Sequence, residues 1–160
     1  IKVTPLHSPA PGSPRHTATL FFQSLRMNDL RRNLFYYKST SRNMTQYRLK
    51  RVYDEPSPND GFRVYIDRLW PRGLSHETFH YDLWEKDIAP STELREWFHA
   101  DPTKRWPKFK SLYIAELSTN QSFAALSHLL ALKDVVTLLY SSRDSEHNNA
   151  VVVYNLLSKD

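Results

Sequence analysis

The chain contains no cysteine, which excludes disulfides, thiolate metal ligands and a cysteine nucleophile. It has only three glycines, and only Gly61 and Gly73 fall after residue 43. Phosphate loops of the GxGxxG and GxxxxGK[ST] kinds need closely spaced glycines and are absent. No GxSxG nucleophile motif occurs either. No run of about 18 apolar residues is present, so the chain carries no transmembrane span. Acidic residues are almost missing from positions 1–43, which hold seven Lys or Arg against Asp29 alone. Residues 44–160 hold fifteen basic and sixteen acidic side chains. The formal charge of +5 therefore belongs to the N-terminal quarter. A nucleic-acid reader normally carries its positive surface on the folded domain, so nucleic acid is a poor partner for the near-neutral body.

Two regions follow from that asymmetry. Residues 1–43 form a basic N-terminal extension that holds four of the ten prolines within its first 14 positions. The extension shows no helix or strand period. Three readings stand for it: non-native upstream sequence, a disordered arm, or a targeting segment. Low order is expected there, with a short helix around 27–37. Residues 44–160 form the patterned domain.

Within the domain, 47–53 alternates apolar and charged residues, and 62–67 is rich in β-branched and aromatic ones. Both predict strands. Ser91 is placed to cap a helix to about Phe98, and Asp101-Pro102 is a cap followed by proline at the first helical position. The next helix places Trp106, Phe109, Leu112, Tyr113 and Leu117 on one face. Asn120 caps another, with Phe123, Leu126, Leu129 and Leu130 inward. The apolar run 135–140 predicts a strand buried on both faces. Asp144 or Ser145 then caps a last helix to about Leu157, although Val151-Val152-Val153 also fits a short strand. This order predicts an α/β fold, a three-layer sandwich with a small, mostly parallel sheet flanked by helices.

In such sheets ligands bind beyond the carboxyl ends of the strands. Two segments should meet there: Asp67-Arg68-Leu69-Trp70-Pro71-Arg72-Gly73, and 141–149 with Asp144, Glu146, His147, Asn148 and Asn149. Arg68 and Arg72 are suited to a phosphate or carboxylate, with Trp70 between them. Asp144, His147 and Asn148 are expected at a helix start, where an anion is favoured. An ordinary imidazole titrates near neutrality, so His147 is the candidate proton carrier, with Asp67 or Asp144 orienting it. Lys86, Ser91 and Arg95 are further candidates for the same cleft. The competing reading is structural: ion pairs that pin the loop, and caps that satisfy their own helices.

The first of these segments resembles the signature of the YeaO-like family, known as domain of unknown function 488. The resemblance runs on through Trp84-Glu85-Lys86-Asp87-Ile88-Ala89-Pro90-Ser91, Leu94-Arg95-Glu96-Trp97-Phe98 and Asp101-Pro102. It continues through Trp106, Phe109, Tyr113, Glu116-Leu117, Val136-Thr137-Leu138-Leu139-Tyr140, Asp144 and Glu146-His147-Asn148-Asn149-Ala150. It covers about 46–158. It implies a small cytoplasmic, mostly bacterial α/β protein with no established activity, and any cofactor is unknown. Some members carry a uroporphyrin-III C-methyltransferase label, which the glycine-poor body does nothing to support.

His76-Glu77-Thr78-Phe79-His80 matches H-E-x-x-H, the zinc-protease helix motif. Phe79, Tyr81 and Leu83 alternate, however, which predicts extended chain. The two histidines would then lie about 13 Å apart, too far to share a metal. No metal is expected. The four tryptophans are expected in core or loop packing rather than on a stacking surface for nucleic acid. The domain is therefore expected to bind a small anionic ligand, phosphorylated or nucleotide-like, with acid/base catalysis by His147 as an added step. Rival readings are a non-catalytic regulatory or interaction module, a methyltransferase-type activity, and nucleic-acid binding through the basic arm.

Overall fold

The computed structural model describes residues 44–159. The expectations for 1–43, including the helix near 27–37 and a nucleic-acid-binding arm, lie outside the described residues. Among the described residues four strands, β1 (Gln46–Arg51), β2 (Phe62–Tyr65), β3 (Leu83–Trp84) and β4 (Val135–Tyr140), form one sheet in the order β1-β4-β2-β3. Every pairing is parallel. The helices are α1 (Thr92–Ala100), α2 (Pro102–Thr119), α3 (Gln121–Leu130) and α4 (Asn149–Leu157). The result is an α/β sandwich.

Side-chain alternation explains its layers. Val64 and Ile66, with Val136, Leu138 and Tyr140, pack with Leu94, Phe98, Phe109, Tyr113, Leu117, Leu126, Leu130, Val152 and Val153. Helices thus cover this face. Tyr65 and Leu139 point the other way and meet Val52 and Phe79, packed with Trp70, Leu74, Tyr81 and Trp84. That face is covered by the aromatic segment between β2 and β3. The central strand β4 is buried along nearly its whole length, which accounts for its unbroken apolar run.

The register brings the carboxyl ends together. Arg51 pairs with Tyr140, and Tyr65 pairs with Leu139. Backbone bonds from Val52 N–H to the Tyr140 carbonyl (2.9 Å) and from Ile66 N–H to the Leu139 carbonyl (3.3 Å) extend the match one residue further. Three chain segments therefore leave the sheet side by side. At the opposite end, Gly61 turns the chain into β2 at φ 64°, and a Cβ there would strike the Val135 carbonyl.

Several local expectations need correction. Leu129 is 39% exposed rather than inward, and Leu112, on the apolar face of its own helix, is exposed to the same extent. Each lies at the margin of its helix's apolar stripe, where spacing alone cannot decide. The last helix begins at Asn149, capped by Asn148, and not at Asp144 or Ser145. Val151-Val152-Val153 is helical. Residues 76–78 form a turn rather than extended chain. Phe79 N–H bonds to the Ser75 carbonyl at 3.0 Å, and the Ser75 and Thr78 hydroxyls meet at 3.1 Å. That local bonding outweighs the period-two pattern.

Candidate functional site

Beyond the strand ends lies a cleft of about 820 Å³. Its walls come from the end of β1 (Arg51, Tyr53), the segment after β2 (Asp67 to Arg72), α1 and its approach (Ala89, Pro90, Arg95) and the segment after β4 (Ser141 to Arg143, His147 to Asn149). Arg72 and His147, 75 positions apart in sequence, line the same space.

Asp67 ties the two main walls together. One carboxylate oxygen accepts from Ser141 N–H (2.9 Å) and from the Ser141 hydroxyl. The other accepts from Asn149 Nδ2 at 3.0 Å, and the Asp67 carbonyl accepts from Trp84 Nε1 at 2.8 Å. Asp67 is thus committed to Ser141 and Asn149, and does not orient His147 as its neighbourhood suggested. That work falls to Asp144. Its Oδ1 accepts from the Glu146 and His147 N–H groups at 2.8 and 2.9 Å, and its Oδ2 faces His147 Nδ1 at 3.0 Å. The His147 and Glu146 backbone N–H groups hold the Asp144 carboxyl below its ordinary range, so it stays ionised. An ionised carboxylate only accepts, which assigns the ring hydrogen to Nδ1 and leaves Nε2 as the free nitrogen. The ring packs edge-on against Trp106 at 5.2 Å.

Arg68 is held by the segment that leads into α1. Nη2 donates to the Ala89 and Pro90 carbonyls at 3.1 and 3.4 Å. The residues on either side of those carbonyls are braced from α2: Tyr113 donates to the Ile88 carbonyl at 2.7 Å, and Glu116 accepts from Ser91 N–H and Oγ at 3.0 and 2.6 Å. Burial raises the Tyr113 hydroxyl far above its ordinary value, so it remains a donor. Arg72 is exposed and makes no side-chain bond to a described residue, although its carbonyl accepts from Tyr53 at 3.1 Å. Arg51 donates through Nε to the Ser142 carbonyl at 2.8 Å.

The other sequence candidates divide. Trp70 lines the cleft, but its Nε1 is bonded to the Leu74 carbonyl at 2.7 Å and its ring packs with His76, Phe79, Tyr81 and Trp84. Asn148 caps α4 by accepting from Val151 N–H at 3.1 Å, and it donates to the Asp144 carbonyl at 2.8 Å. Its amide is therefore largely spent on the fold. Lys86 is exposed on a short 3-10 turn (Lys86–Ile88) and does not line the cleft. Ser91 is also outside, because its hydroxyl serves Glu116 and the first turn of α1. Arg95 does line it. Arg51, Tyr53, His99 and Arg143 are wall residues that sequence reasoning missed. The signal for Arg51 and Tyr53 was available, since the end of any parallel strand in such a sheet opens on the same rim.

Five arginines and two histidines line this space, against one carboxylate already bonded to its neighbours. The histidines of the H-E-x-x-H segment go elsewhere: His76 lies over Trp70 at 3.9 Å between ring centres, and His80 is exposed. Among the described residues no three His, Asp or Glu side chains come close enough to hold a metal ion. None of the described helices is long and apolar enough to cross a membrane.

Fold and cleft together define a small parallel α/β domain with an arginine-lined rim. The chain belongs to the YeaO-like DUF488 proteins: the model of the DUF488-N3i family, described as the inactive DUF488-N3 subclade, matches residues 46–160. It is 40% identical over 108 residues to the uncharacterized protein YeaO of Escherichia coli K12, covering 68% of this chain and 93% of that one. It is also 40% identical over 114 residues to the uncharacterized proteins Mb3100c of Mycobacterium bovis and Rv3073c of Mycobacterium tuberculosis H37Rv. Those matches cover 71% of this chain and 95% of each relative. No solved structure matches the chain significantly.

Proposed function

We infer that the domain binds a small anionic ligand in this cleft and acts as a binding module. The observation that carries the reading is the charge imbalance of the walls: among the described residues they hold five guanidinium groups and one carboxylate, which is consumed by Ser141 and Asn149. Unbalanced positive charge in a concave, partly dry site is costly without a counter-anion and focuses anions toward it. The family description, with its word inactive, supports binding over turnover. A second reading keeps acid/base catalysis by His147, favoured by the Asp144 contact that fixes the ring and frees Nε2.

A thermal-shift panel of sugar phosphates, nucleotides and their neutral counterparts tests the first reading. A ligand at about 100 times its Kd should add about 2.7 kcal/mol to stability. Phosphorylated compounds should raise Tm, their neutral counterparts should not, and the rise should shrink as ionic strength increases. A flat response to every anion would remove the binding reading. His147→Gln separates the two: binding should persist in this variant, and a turnover present in the wild type and lost here would make the domain an enzyme.

A further inference from the structure

We propose that the ligand carries two separated anionic groups of the phosphoanhydride kind, with one seated between Arg68 and Arg95 and the other met by Arg72 and Arg143. The proposal rests on the anion-binding reading above and assigns its subsites and ligand class.

Among the described residues, two buried side-chain polar atoms have no hydrogen-bond partner, and they are Arg68 Nε and Arg95 Nε. Both arginines line the cleft. An unmet buried donor costs about 1–3 kcal/mol, so two of them in one cleft need an explanation. The fold does not use them. Arg68 is anchored only through Nη2 on the Ala89 and Pro90 carbonyls. Arg95 has only a 3.9 Å contact with the exposed carboxylate of Glu96, at the limit of an ion pair. An anion drawn between the two guanidinium groups gives them the acceptor the free protein lacks, and a small turn of either side chain opens its Nε–H to that anion. Arginine's planar fork suits phosphoryl oxygens in this way.

Arg72 and Arg143 differ from this pair. Both are exposed, both lack a side-chain partner among the described residues, and they stand on the segments after β2 and β4. They form the outer rim. A monoanion on the inner pair leaves these two uncompensated. A volume of about 820 Å³ also exceeds what one phosphate ion fills and lies in the range of small-molecule sites. A second phosphoryl group, carried on the same ligand, answers both points.

Calorimetric titration of the full chain with inorganic phosphate, pyrophosphate and succinate tests this. Pyrophosphate should bind at least tenfold more tightly than phosphate, and more tightly than succinate. Arg95→Lys and Arg68→Lys should each weaken phosphate and pyrophosphate about tenfold or more, while Arg72→Ala should weaken pyrophosphate by a larger factor than phosphate. Among the described residues the Arg95 side chain has no polar contact beyond Glu96 at 3.9 Å, so its variant should fold and remains informative if Arg68→Lys does not. No anion binding by the wild-type chain would overturn the anion-binding reading itself. Binding that survives Arg95→Lys intact would overturn the inner subsite alone. Equal affinities for phosphate and pyrophosphate would overturn the two-group ligand, and succinate equal to pyrophosphate would overturn the phosphoanhydride class.

Discussion

Replacing Asp60 with asparagine should cost the domain about 3–5 kcal/mol, the usual loss when one member of a buried ion pair is removed. Asp60 is 5% exposed and sits at the amino end of the sheet. Lys50 Nζ donates to both of its oxygens at 3.0 Å, Arg63 Nη1 donates to Oδ2, and so does Ser57 N–H at 3.0 Å. All of these neighbours are donors. An amide nitrogen at either oxygen position therefore turns a bond into a clash of hydrogens: at Oδ1 it faces Lys50, and at Oδ2 it faces Ser57 N–H as well and leaves Arg63 buried with only the His80 carbonyl on its Nε (2.9 Å). Melting should show a drop of more than about 10 °C for a domain of this size. A drop under about 3 °C would mean that the cluster is solvated.

The same carboxylate gives a pH signature. Burial alone would raise its pKa, but the Ser57 N–H, Lys50 and Arg63 outweigh burial and hold it below the ordinary value. A depressed pKa stabilises the folded state above the unfolded aspartate value, near 4, and that contribution is lost as pH falls through the folded value. The wild-type chain should lose stability steeply below about pH 4. Asp60→Asn lacks this group, so its acid limb should be shallower although its stability at neutral pH is lower.

Legibility from sequence followed the range of the interaction involved. Asp101-Pro102 could be read because a cap is local: Asp101 accepts from Lys104 N–H at 3.3 Å, three residues away. Ser91 and Asn120 were readable for the same reason. The strand 135–140 was readable because a central parallel strand has no polar face. Asp144 and Asn148 were harder, since both are cap-forming and lie four residues apart. Each closes something: Asp144 closes the turn carrying Glu146 and His147, and Asn148 opens α4. Asn149, the first residue of α4, is also held by Asp67 from 82 residues away, and no local pattern carries that. The partnership of Arg68 with the Ala89 and Pro90 carbonyls is likewise tertiary, and so is the exclusion of Lys86 and Ser91 from the cleft. Residue types at the rim were visible in the sequence, but which carboxylate served which neighbour was not.

Asp67 gives the other large effect, and its sign separates two accounts of the cleft. Among the described residues it is the only carboxylate on the walls, so if charge alone mattered, Asp67→Asn would strengthen anion binding by removing a repulsion. The geometry predicts the reverse. Ser141 N–H, the Ser141 hydroxyl and Asn149 Nδ2 all donate to this carboxylate. An asparagine amide must turn its NH₂ toward one set of them. Loss of a hydrogen bond to a charged group costs about 1.5–3 kcal/mol, so stability should fall by about 2–3 kcal/mol. The bonds that break are those joining the segment bearing Arg68 and Arg72 to the segment bearing Arg143 and His147. A ligand held from both sides then loses alignment with several arginines at once, whereas the repulsion relieved is a single interaction screened by solvent. Affinity for the best anion of the panel, measured well below the variant's Tm, should fall about tenfold or more. Ser141→Ala removes one of the three bonds and keeps the charge, so it should weaken binding less. Tighter binding by Asp67→Asn would show that the two segments stay in register without this carboxylate, and that its part in the cleft is electrostatic only.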